Sequence, residues 1–235
     1  MAGIFSLREV RTEQLKNEDP GLSLNISPWS YYGYYAGGIS ATRVCTIDRL
    51  DFSTETVTTP TPQLSQARNG LAGTQSSSYG YFAGGSGVCT IDRLDFSTDT
   101  VTIPIITPKL SQARVVLAAV ASNSYGYFGG GDAPGYVCTI DRIDFTTETV
   151  TVPAPKLSQA RSRLAGVTYK SKQIFKTVPN FTNWPESANF GYYGGGGFPT
   201  VSTIERLDFS TETVTTPTPK LSDVNRFLTA TSSSS

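Results

Sequence analysis

Between Cys89 and Phe96 apolar and charged residues alternate with period two. Ile91, Arg93 and Asp95 fall on one face; Asp92, Leu94 and Phe96 fall on the other. Both faces carry mixed character, which suits a strand sandwiched between neighbouring sheets. The same stretch returns at Thr46–Phe52, Thr139–Phe145 and Thr203–Phe209. Ahead of each copy stands an aromatic segment ending in glycines: Gly33–Gly38, Tyr79–Gly85, Tyr125–Gly131 and Phe190–Gly196. Behind each comes a Ser/Thr-Thr-acid-Thr-Val turn, a proline-rich link and a Leu-Ser segment. Four strands per unit are predicted. They are the aromatic strand, the alternating strand, a short strand through Val101 and its equivalents, and a last strand such as 114–121.

The first three glycine pairs are spaced 47 and 46 residues apart, from Gly37 to Gly84 to Gly130. A fixed period of this size marks a repeat array. Repeats are assigned to 31–78, 79–124, 125–168 and 190–235, within a single domain at 29–235. Each repeat is expected to begin with the inner strand of a sheet and end with the outer one. The spacing then jumps to 65, so residues 169–189 are an insertion. Residues 1–28 form an arm outside the repeats, with a short helix candidate at 5–16 that Asp19-Pro-Gly ends. Arm and insertion share a layout, a polar stretch and then Trp29 or Trp184 ahead of an aromatic strand. Both are expected to serve attachment, through Phe5, Leu7, Val10, Trp29 and Trp184.

Composition narrows the chemistry. Lysine plus arginine equals aspartate plus glutamate at 19 each, so no electrostatic footprint for nucleic acid or an anionic membrane is expected. No apolar run approaches a bilayer span, and the first residues lack the apolar stretch of a secretory signal. The chain has no histidine. That removes the commonest general base and the Ser-His or Cys-His nucleophile pairs. Cys45, Cys89 and Cys138 occupy one position in three successive repeats, where the fourth has Ser202. That spacing suits neither a disulfide nor a metal site, and small buried thiols are expected. The glycine-rich stretches end strands and precede no helix with Lys-Ser/Thr, so they do not form a phosphate loop.

Asp92, Arg93 and Asp95 recur as Asp48, Arg49, Asp51, as Asp141, Arg142, Asp144 and as Glu205, Arg206, Asp208. A catalytic site is usually singular, so a trio present four times is expected to make ion pairs between neighbouring sheets and turn caps. Tyr81, Tyr127 and Tyr192 are expected to pack. The unequal loops Ile39–Arg43, Ser86-Gly87, Asp132–Tyr136 and Phe198–Val201 are where a variable surface would lie.

The double glycine, the Asp before the turn, the short strand and the Arg opening the last strand resemble the Kelch repeat of β-propellers. Gly84-Gly85, Asp95, Val101 and Arg114 carry the resemblance in one repeat. The others give Gly37-Gly38, Asp51, Val57, Arg68; Gly130-Gly131, Asp144, Val150, Arg161; and Gly195-Gly196, Asp208, Val214. Val stands where Kelch repeats place Trp, and the last copy has Asn225 at the Arg position. The resemblance implies an all-β fold, a Kelch-like β-propeller of about four four-stranded blades. It also implies structural roles for Arg68, Arg114 and Arg161. The near-identical tandem wording is similar to Kelch-like proteins of marine bacteriophages, cyanophages in particular. That likeness implies a non-enzymatic virion protein of tail, fibre or capsid, without cofactor or metal. Its partners would be other virion proteins and further copies of itself. The alternative is a cell-surface adhesin module that binds a host glycan through exposed aromatic rings.

Overall fold

The computed structural model describes residues 32–60, 62–102, 108–170, 188–197, 200–218 and 220–221. All regular structure in them is β. The first sheet holds β1 (Tyr32–Ala36), β2 (Ile47–Asp51) and β3 (Thr56–Thr58). The second holds β4 (Ala72–Gln75), β5 (Tyr79–Ala83), β6 (Ile91–Asp95) and β7 (Thr100–Thr102). The third begins with β8 (Ala118–Ala121) and β9 (Tyr125–Gly129). After β9 comes a small hairpin, β10 (Asp132–Ala133) with β11 (Gly135–Tyr136). The sheet resumes with β12 (Ile140–Asp144) and β13 (Val150–Thr151). The fourth holds β14 (Ala165–Lys170), β15 (Ala188–Gly194), β16 (Ile204–Asp208) and β17 (Thr213–Thr215). Every pairing is antiparallel and joins chain neighbours, except β9 with β12, between which the β10–β11 hairpin stands; the four sheets follow one another as the blades of a four-bladed β-propeller.

The alternating strand lies where its pattern places it. Ile91, Asp92 and Leu94 are buried, and Ile140, Asp141 and Ile143 repeat the arrangement. Three apolar clusters fill the junctions. Ile47 and Leu64 meet Phe82 and Leu94; Ile91 and Leu110 meet Phe128 and Ile143; Ile140 and Leu157 meet Tyr193 and Leu207. At about 1.5–3 kcal/mol per fully buried large side chain, these clusters dominate cohesion between sheets.

The last segment of each repeat behaves differently from the sequence expectation. Strands β4, β8 and β14 do not end the sheet of their own repeat; each opens the next one as its innermost strand. The switch is made just before the strand. Residues 114–117, expected to be strand, form an irregular crossing with one bridge from Val115 to Asp132. Gly70, Val116 and Arg163 sit at one position there, with φ of 67°, 51° and 55°. That left-handed conformation turns the chain out of one sheet and into the next. Consequently the first sheet has three strands among the described residues. The insertion joins β14 to β15, the first two strands of the last sheet, and the arm precedes β1 at the equivalent place.

Candidate functional site

The repeated polar residues converge on the junctions between sheets. Arg114 is fully buried and is held at both ends. Its carbonyl accepts the Gly85 N–H at 2.9 Å, which fastens its backbone to the second sheet. Its guanidinium reaches the third sheet and donates to the carbonyls of Phe128 (2.9 Å) and Thr139 (3.1 Å) and to the Asp141 carboxylate. Arg68 does the same with Phe82, Thr90 and Asp92, and Arg161 with Tyr193 and Glu205. The glycine pair and the arginine are therefore one device. A Cβ on Gly84, at φ 67°, would lie 2.7 Å from the Arg114 carbonyl oxygen, so the position admits only glycine. Burial pulls the Arg114 guanidinium below its ordinary value, and the Asp141 carboxylate opposes that shift. It stays charged, as arginine does in proteins.

A second repeated set lies nearer the outer edge. Arg93 on β6 pairs with Glu148 at 2.8 Å, a residue of the turn after β12 in the next sheet. Arg49 pairs with Asp99 and Arg142 with Glu212 in the same way. The hydroxyls of Tyr34, Tyr81 and Tyr127 donate to those same carboxylates. Their rings stack on Phe96, Phe145 and Phe209 at 5.5, 5.3 and 5.1 Å between centroids. Desolvation by burial, with the nearby carboxylate, pushes all three phenols well above the usual tyrosine value. The turn acids themselves have positive φ, 50° at Asp99, 55° at Glu148 and 50° at Glu212. Glycine or asparagine is the easier residue in that conformation. An acid stands there because the junction uses its carboxylate.

Sequence reasoning did not single out these turn acids, although the recurring acid in the Thr-acid-Thr-Val turn was their signal. The expected turn caps are present. Asp95 accepts from the Ser97 N–H at 2.8 Å and the Ser97 hydroxyl at 2.6 Å, and Asp51 and Asp208 act likewise. Those hydrogen bonds hold all three carboxyls below the ordinary aspartate value. The cysteines are free and half-buried at the edges of the three apolar clusters. Among the described residues no group of three or more His, Cys, Asp or Glu side chains could hold a metal.

Two surfaces remain outside the junctions. A cavity of about 420 Å³ lies where the inner strands meet, lined by Gly73–Gln75, Ala119–Ala121 and Gly166–Thr168 with Tyr32–Tyr34 of β1. Its lining carries no Asp, Glu, Lys or Arg. Thr168 accepts the Ala121 N–H at 2.9 Å and Tyr34 is bound to Asp99, so its chemistry is that of a small, neutral, hydrogen-bonding space. The other surface is the outward face of the first sheet, where Tyr35, Phe52 and Val57 are 62%, 58% and 62% exposed. The expected attachment residues Phe5, Leu7, Val10, Trp29 and Trp184 lie outside the described residues. So does Asn225. No known family model matches the chain, and no curated protein matches it.

Proposed function

We propose that this chain is a Kelch-like propeller serving as a non-enzymatic structural protein of a phage particle, a tail, fibre or capsid-decorating component. The observation that carries this reading is the repeated use of one polar set. Arg68–Asp92, Arg114–Asp141 and Arg161–Glu205 are three copies of one buried contact, each joining two sheets. Residues that would otherwise suggest acid–base chemistry are thereby committed to holding blades in register. Among the described residues, what differs between repeats is surface: the loops after the glycine pairs and the hairpin β10–β11. A constant scaffold with variable surface suits assembly and adhesion. The virion setting comes from the resemblance of the tandem wording to marine phage proteins.

The alternative, a glycan-binding adhesin, is favoured by one observation. Tyr35 and Tyr136 present exposed rings of the amphipathic kind that stack on sugars. Peptide counting in purified particles separates the two readings. A structural component gives signal in fixed ratio to the major capsid protein. A protein absent from the particle, with a positive glycan array, leaves the adhesin.

A further inference from the structure

A formal net charge of zero conceals an uneven distribution between the two ends of the propeller. The sheet strands run from one end to the other. The glycine pairs and the crossing segments lie at one end, and the turns after β2, β6, β12 and β16 lie at the opposite end. Towards the turn end each sheet carries two acids and one arginine, as Asp95, Asp99 and Arg93 do in the second. Lys170, at the end of β14, is the one other cation of that end among the described residues. The turn end is therefore acidic.

The glycine end has the opposite balance. Arg43, Lys109, Lys156 and Lys220 lie there, one to a sheet, and all four are exposed. Arg43 bridges to Ile39 in the loop after the first glycine pair, and Lys109 and Lys220 bridge to Thr90 and Thr203, just ahead of β6 and β16. Lys156 precedes Leu157, whose N–H donates to the Cys138 carbonyl at 2.9 Å. None of the four has an ion pair among the described residues. The acids of this end are mostly committed. Asp92, Asp141 and Glu205 hold the buried arginines, and Asp48 accepts the Thr59 hydroxyl at 2.7 Å. Asp132, on β10, is the remaining acid there among the described residues. Neutral hydrogen-bonding groups stand between the cations. Ser65-Gln66, Ser111-Gln112 and Ser158-Gln159 are exposed copies of one dipeptide, and the Tyr136 ring on the β10–β11 hairpin is 39% exposed.

From this arrangement we infer that the glycine end is a docking face for an acidic polysaccharide, whose carboxylates meet Arg43, Lys109, Lys156 and Lys220 and whose hydroxyls meet the Ser-Gln pairs and the Tyr136 ring. Spacing favours a glycan over a nucleic acid. Packed sheets stand about 10 Å apart, so cations on successive sheets are separated by about a Debye length or more at 0.1 M salt and act singly. Duplex DNA carries one charge per about 1.7 Å of axis and is matched by clustered cations. A polymer with scattered carboxylates and many hydroxyls fits isolated cations set among hydroxyl and amide groups. Three of the four are lysines, compact point charges suited to single carboxylates rather than to bidentate phosphate recognition. The acidic end repels the same polymer, so the field orients it to one end of the molecule. The inference rests on the propeller's own charges and not on the particle reading.

Binding of labelled alginate, a polyuronate, to the full chain tests this, with uncharged dextran and duplex DNA alongside. The parent should bind alginate and release it as ionic strength rises from about 0.01 M to about 0.15 M, where the Debye length shrinks from about 30 Å to about 8 Å. Gln63 holds the lysine position in the first repeat, so Lys109→Gln, Lys156→Gln and Lys220→Gln install a residue the repeat already accommodates. The triple variant should keep the parental melting temperature and lose about tenfold or more in alginate affinity. The corresponding triple Lys→Arg variant should bind as the parent does, and so should Lys170→Gln at the acidic end. A parent that leaves alginate unbound at low ionic strength overturns the inference. So does a triple Gln variant with parental affinity, or equal binding of dextran. Tighter binding of duplex DNA than of alginate overturns the saccharide and assigns the face to nucleic acid.

Discussion

The arginine that opens the crossing segment is the residue on which each junction turns. Arg114 has its carbonyl on one sheet and its guanidinium in the next, fully buried beside Asp141. Removing one partner of such a pair leaves a buried charge and costs about 3–5 kcal/mol, whereas replacing both by apolar groups can be nearly neutral. Arg114→Ala is therefore expected to lower unfolding free energy by that amount in urea titration. Arg114→Met with Asp141→Leu should lose much less. Equal losses in single and double variants would mean that the pair contributes net stability rather than register. The tyrosines set the alkaline limit. The Tyr34, Tyr81 and Tyr127 phenols are raised in the folded state, first by desolvation. Their stabilisation is complete below the unfolded phenol value near 10 and is lost as pH rises from there through the raised folded values. Phenolate absorbance of these three should appear only together with unfolding. Titration of all tyrosines near pH 10 in a folded protein would contradict their burial.

At the scale of elements, the alternating strand was legible because its charges and apolar residues recur at fixed places. Ile91, Asp92 and Leu94 are buried as a sandwiched strand requires. The structural use of Arg68, Arg114 and Arg161 was legible through the resemblance to the Kelch repeat, which places an arginine at the start of the last segment. Strand order was not. The small-residue segment reads identically whether it closes its own sheet or opens the next, since Ala118 and Val120 are buried in either arrangement. The deciding feature is the positive φ at Gly70, Val116 and Arg163, and only the first is a glycine. The turn acids were hidden in the same way, as acids in a conformation that glycine would advertise. The inner strands meet closely, and Gly166 shows how closely. A Cβ there would stand 2.5 Å from the Ala119 carbonyl oxygen of the adjacent sheet. Gly166→Ala must push β14 away from β8 and should cost about 1–3 kcal/mol. Gly194→Ala, where a Cβ meets nothing within 4 Å and the backbone is not left-handed, controls for loss of glycine itself. A Gly166→Ala protein as stable as the parent would show that the inner strands are not packed as described.

For the whole molecule, three apolar junctions and their buried arginines make the array cohesive without the first 28 residues. The helix candidate at 5–16 has the length at which an isolated helix is marginal in water. Deleting residues 1–28 is expected to leave thermal unfolding of the propeller intact and to abolish incorporation into particles. Normal copy number in particles carrying the truncated chain would place attachment on the blades instead. The proposal that this propeller is a particle component meets its most direct test in a reconstruction of the phage particle. The expected result is many symmetry-related copies of a four-lobed density with an axial cavity, docked through the segments that flank β1 and β15. A well-resolved particle with no such density at any tail or capsid position would contradict it.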